Sequence, residues 1–211
     1  MDLTGKQITT YIIHEVAAKL GRMAPGDRLE VITDDFEAII PDVRAWCRMA
    51  GHELVGLQEE PPRYRFTLAR GEPAGPPGRR VALVISSAGL LDLLSPLGFA
   101  LAAALAGAEV SIYFQGPGVR VLREGFEARL PGLGWLFSGL ARREMAATGH
   151  LPPQEKLRQL HQLGGRFFAC GPSMQRFGVP REKLAFDDVT VAEYFTFVEQ
   201  MQGSGILLYP Q

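Results

Sequence analysis

The sequence predicts a mixed α/β chain: an N-terminal two-layer βαβαββ sandwich, followed by a doubly wound, mostly parallel α/β domain. Three observations carry this. The apolar period changes from amphipathic to continuous runs along the chain, a Pro/Gly-rich stretch falls where it changes, and strands alternate with helices after it.

In the first part, residues 9–22 (TTYIIHEVAAKLGR) place Ile12, Ile13, Val16, Ala17 and Leu20 at helical spacing, and Pro25-Gly26 stops the run. RLEVIT, residues 28–33, alternates like a half-buried strand. Residues 38–50 form a second amphipathic helix with Ile39, Val43, Trp46, Cys47 and Ala50 inward. Residues 52–57 and 64–68 flank Pro61-Pro62 as a closing hairpin. The stretch GEPAGPPGR, residues 71–79, holds three prolines and three glycines and reads as a linker between domains 1–70 and 80–211.

Beyond the linker, RVALVIS (80–86) and EVSIYF (109–114) are continuous apolar runs, the pattern of strands buried on both faces of a parallel sheet. RFFAC (166–170) and GILLYP (205–210) complete a set of four strands, and helices are expected at 134–148, 153–163 and 191–201. Residues 95–108 (SPLGFALAAALAGA) are apolar but short. A membrane span needs about 20 such residues, so a buried helix is the expectation and no membrane is a partner.

Composition narrows the function. The chain has 211 residues, 46% of them apolar and 21% charged, with a net charge of −1. That is the composition of a globular protein with a sizeable core, and no basic field for nucleic acid is present. The opening MDLTGKQITT lacks the basic start and apolar run of a secretory signal, so a cytoplasmic address is expected. The 2 cysteines, Cys47 and Cys170, are far apart and fit neither a metal spacing nor a disulfide framework. His14, His52, His150 and His161 share no ligand spacing either, so no cofactor or metal is expected.

Cys170 is the candidate for chemistry. It stands at the predicted C-terminal end of a parallel strand, before Gly171-Pro172-Ser173-Met174, and ligands of open α/β sheets gather outside such strand ends. A helical turn opening near Ser173 would favour the thiolate, with Gly171 allowing close approach and Ser173 capping the turn or bonding the sulfur. The alternative is a buried structural cysteine. Cys47, on an apolar helix face beside Trp46, reads as structural. Two loops at strand ends, Ser86-Ser87-Ala88-Gly89 and Gln115-Gly116-Pro117-Gly118, are candidate site loops. They match no nucleotide-binding pattern, so a small-molecule or flavin site is the weakest reading and turn geometry suffices to explain them.

Asp2-Leu3-Thr4-Gly5, Pro25-Gly26-Asp27 before LEVITDD, the stretch from Ile40-Pro41 to Gly51-His52-Glu53-Leu54, and Tyr64-x-Phe66 make the N-terminal segment resemble the TusA-like (SirA-like) sulfur carriers. The family's Cys-Pro-x-Pro motif falls on Ile8-Thr9-Thr10-Tyr11, so the carrier thiol and both prolines are absent. Partner binding is the role this resemblance leaves. Residues 80–211 are similar to the peroxiredoxin-like branch of the DsrE/DsrF-like family through IYFQGPG, GLGWLFSGLARREM and, above all, FFACGPSMQRFGV.

In that family the cysteine of Ala-Cys-x-x-Ser-Met accepts sulfur, and it corresponds to Cys170, with Gly171, Ser173 and Met174 supporting the thiolate. The resemblance implies a sulfur-relay protein, with sulfur donor and acceptor proteins as partners and a homo-oligomer built through the second domain. A helix over 97–108 and the glycine-rich segment 131–140 would suit close packing between subunits or within one. The other reading is a non-catalytic assembly module of a sulfur-metabolism complex.

Overall fold

A computed structural model of the chain describes residues 1–6, 8–34, 39–72, 79–130, 139, 143, 147, 149–201 and 206–208, with backbone alone at 206–208. Most of the expected linker, the helix at 134–148 and the segment 131–140 lie outside the described residues. The chain divides into two compact units. One is Met1–Pro76 with Leu105–Gly107 and Arg143–Leu151; the other comprises Pro77–Ala104, Ala108–Arg142 and Pro152–Gln211.

The first unit holds helix α1 (Thr9–Leu20), strand β1 (Arg28–Asp34), helix α2 (Ile39–Ala50) and strands β2 (Glu53–Glu60) and β3 (Arg63–Ala69). The sheet is antiparallel in the order β1-β3-β2. Its register pairs Val31 with Phe66 and Leu57 with Phe66, and shifts between Leu54 and Gly56 on β2. The first strand expected from the sequence reduces to a parallel bridge between Asp2 and Ile32. Ile12, Val16 and Leu20 of α1 and Ile39, Val43 and Trp46 of α2 are buried with Val31, Phe66 and Leu68, which makes one apolar layer between helices and sheet. Burying each such side chain contributes ~1.5–3 kcal/mol.

The second unit is a five-stranded sheet in the order β7-β6-β5-β4-β8, parallel at every pairing. Its strands are β4 (Arg80–Ile85), β5 (Glu109–Phe114), β6 (Arg166–Cys170), β7 (Thr190–Ala192) and β8 (Ile206–Leu208). The connecting helices are α3 (Leu90–Leu105), α4 (Pro153–Gln162), α5 (Gly171–Phe177) and α6 (Tyr194–Gln200). The doubly wound α/β expectation therefore holds, with one strand more than the sequence suggested.

Helix α3 begins well before residue 97 and runs through Pro96. Proline lacks the N–H that an interior helical position donates, which is why a boundary is read there from sequence. The buried Lys156 of α4 donates from Nζ to the Leu94 carbonyl at 2.9 Å, which joins α4 to α3 beside that proline. Among the described residues no helix is long and apolar enough to cross a membrane.

Candidate functional site

The C-terminal ends of β5 and β6 lie side by side, because Phe114 pairs with Ala169. Cys170 ends β6 and is at once the N-cap residue of α5, with φ −67° and ψ 114°. Gly171 and Pro172 occupy the first turn, where a missing proline N–H costs no helical hydrogen bond. The strand thus delivers the thiol directly to the start of a short helix.

Polar groups of Ser173 and Tyr113 act on the Cys170 sulfur. Burial pushes the Cys170 thiol up, and the Glu193 carboxylate acts in the same sense. The Ser173 hydroxyl, the Tyr113 phenol and the Ser173 backbone N–H act against them, and the balance lies below the ordinary thiol value. Cys170 makes no side-chain cap hydrogen bond to its helix. The residue is only 6% exposed. Cys170 is thus a covered thiol, as the alternative reading of the sequence had it, with the polar groups of Ser173 and Tyr113 acting on it. An apolar groove lined by Gly171, Met174, Val179, Pro180 and Val191 runs alongside.

The sequence-derived residues separate into two groups. Gly116 reaches the cysteine's helix: its N–H donates to Ser173 Oγ at 2.9 Å, which orients the hydroxyl that supports the sulfur. Met174 is buried at the same turn. Ser86 and Gly118 engage each other, the Gly118 N–H donating to the Ser86 carbonyl at 3.2 Å. Ser87 and Gly89 are committed to the start of α3, where Ser87 Oγ donates to Asp92 Oδ2 at 2.5 Å and accepts from the Gly89 N–H at 3.1 Å. Those two loop residues serve the helix start and do not join the sulfur site.

Tyr113 and Glu193 escaped the sequence reading. Tyr113 lies in an otherwise featureless apolar strand. The available signal was a phenol in a strand buried on both faces, since a buried hydroxyl requires a partner.

In the first unit, α1 opens at Thr9 after Ile8, which forms no side-chain cap hydrogen bond. No thiol stands where a carrier would hold it. Cys47 is buried on α2, and burial pushes its thiol up to about 11, so it stays protonated and weakly nucleophilic. Iodoacetamide at neutral pH is therefore expected to label Cys170 before Cys47 in the folded protein, as peptide mass mapping would show; the reverse order would contradict this assignment. In Ser173→Ala, the alkylation midpoint of Cys170 is expected to rise, and the lost hydrogen bonding costs about 1 kcal/mol in denaturant unfolding.

Among the described residues no group of three or more His, Cys, Asp or Glu side chains is arranged to hold a metal ion. Cys170 is thus a covered cysteine at the end of a parallel strand, and the first unit holds no cysteine at the start of α1. Residues 79–208 match the model of the DsrE/DsrF-like family, and the chain belongs to that family. Residues 13–70 match the model of sulfurtransferase TusA, so a TusA domain precedes the DsrE/DsrF-like one.

No curated protein matches the chain. A solved structure of a protein of unknown function from Methanobacterium thermoautotrophicum is similar at 20% identity and a TM-score of 0.42, covering 62% of this chain and 98% of its own.

Proposed function

We propose that the chain accepts sulfane sulfur on Cys170 as a persulfide and passes it to an acceptor thiol, while the N-terminal domain, residues 1–70, binds partner proteins. The observation that carries this reading is the Cys170 thiol itself, whose surrounding donors favour the ionised form despite its burial. The TusA and DsrE/DsrF-like domains place the chain among sulfur-relay proteins, which supports the same reading.

The transfer needs no redox partner. The Cys170 thiolate attacks the outer sulfur of a donor persulfide and forms a new S–S bond. The donor's S–S bond breaks, and the electron pair leaves with the donor thiolate. A later attack by the acceptor thiolate on that same outer sulfur returns Cys170 to its starting state. Thiolate character and access govern such exchange: the polar groups beside Cys170 support the first, and at 6% exposure the sulfur has to be uncovered for the second.

The domain limits 1–70 and 80–211, with a linker at 71–79, belong to this proposal, as do a cytoplasmic location and a homo-oligomer through the second domain. Exposed Leu91 and Phe99 on α3 and Phe195 on α6 are apolar surface of the kind subunit contact covers. The test is the intact mass of the purified chain after treatment with polysulfide. Gain of a sulfur atom that dithiothreitol removes is expected. An unchanged mass with several donors would favour a non-catalytic assembly module instead.

A further inference from the structure

We propose that the cavity lined by Arg120, Arg123 and Arg129, at the ends of β4 and β5, binds the phosphate group of a small phosphate monoester. Cys170 does not line this cavity, and the assignment is independent of the persulfide reading.

The cavity lies where an open parallel sheet gathers its ligands, outside the carboxyl ends of adjacent strands. Strand β4 ends at Ile85 and β5 at Phe114, and these two residues pair. The loops that follow supply Ser87, Gly89 and Pro117 to the lining, and the three arginines with Phe126 complete it. Its volume is about 650 Å³, in the range of small-molecule sites and far more than a lone oxyanion fills.

The arginines are held in place by their backbones. The Arg123 N–H donates to the Arg120 carbonyl at 3.1 Å, and Arg123 forms a bridge with Leu184. Arg129 bridges Gly89, and its carbonyl accepts from the Leu90 N–H at 3.0 Å. The Arg120 guanidinium is steadied by the Phe177 ring, 5.1 Å from its centroid. Among the described residues none of the three forms a salt bridge, whereas Arg65, Arg80, Arg158 and Arg166 each do. Glu124 and Glu127 also line the cavity, so three guanidinium groups stand against two carboxylates and the balance is positive.

That donor set selects the ligand. A guanidinium stays charged and presents a planar fork of N–H donors matched to carboxylate and phosphate oxygens. A phosphate monoester offers three acceptor oxygens and close to two negative charges, enough to outweigh the nearby glutamates. A carboxylate offers fewer oxygens and less charge. Pro117 and Phe126 give the organic body an apolar wall. Recognition by side-chain forks also explains why these loops need no glycine-rich phosphate pattern, in which backbone N–H groups do the same task.

The test is calorimetric titration of the full-length protein at low salt, where exposed charges are least screened. The probes are glycerol phosphate, ribose phosphate and adenosine monophosphate, with inorganic phosphate and adenosine as comparisons. At least one ester is expected to bind more tightly than inorganic phosphate, and adenosine to bind not at all. Arg123→Gln and Arg129→Gln should each weaken the ester roughly tenfold. Arg28→Gln removes an equal charge from an exposed position in the first unit and should leave binding unchanged, as should Cys170→Ser.

No binding by any of the three esters overturns the assignment, and so does an equal loss in Arg28→Gln and Arg123→Gln, which would reduce the effect to net charge. Inorganic phosphate binding as tightly as the best ester would overturn the organic body. Weakened binding in Cys170→Ser would move the ligand to the sulfur and overturn the site itself.

Discussion

Cys170→Ser protein treated with polysulfide is expected to gain no sulfur, whereas Cys47→Ser gains it as the wild type does. The asymmetry follows from environment. Cys47 is buried on α2, where desolvation outweighs the nearby Arg48 and dictates the protonated form. Cys170 is as well covered by area, but the groups bordering it are a serine hydroxyl, a phenol and a helix-start N–H. Serine preserves the size of the side chain, while its hydroxyl does not ionise near neutral pH.

The same substitution has a pH signature in stability. A group whose folded pKa lies below its unfolded value contributes stability that is complete above the unfolded value and is lost as pH falls through the folded one. Wild-type stability should therefore rise with pH between the depressed Cys170 value and the ordinary thiol value. Cys170→Ser should remove that rise in urea titrations run across the window. A rise that persists in the variant would assign it to another group.

Gly118→Ala is expected to be the most disruptive small substitution near the site. A methyl carbon at that position would sit 2.4 Å from the carbonyl oxygen of Ile85 and 2.9 Å from its carbon. That oxygen already accepts from the Gln115 N–H at 3.0 Å, so it is fixed at the junction of β4 and β5. Relief requires backbone movement, with a cost of about 3 kcal/mol in equilibrium unfolding. Gly139→Ala, where the added carbon meets nothing within 4 Å, is the matched control and should leave stability unchanged or slightly raised. Equal effects of the two would show that the close approach at Gly118 does not constrain the loop.

The glycine illustrates what the sequence could convey. Gly116 and Gly118 stood out as a loop at a strand end, and ligand binding and simple turn geometry were both compatible with them. In the structure one glycine passes under a carbonyl and the other directs its N–H to Ser173. Continuous apolar runs made β4, β5 and β6 legible, because a strand buried on both faces has no reason to alternate. Strand β7 was not legible: three residues at a sheet edge, two of them exposed, carry no period to detect. Tyr113 stayed hidden for a related reason, since in EVSIYF its ring satisfies the apolar pattern and only its hydroxyl has a separate function. Cys170 was legible because a strand end and a helix start coincide on it.

The most direct test loads full-length protein with polysulfide, caps it with iodoacetamide and maps the adduct by peptide mass. The account predicts alkylated persulfide on the peptide containing Cys170, which disappears when an acceptor thiol is added before capping. Sulfur found on the Cys47 peptide, or on neither, would contradict it.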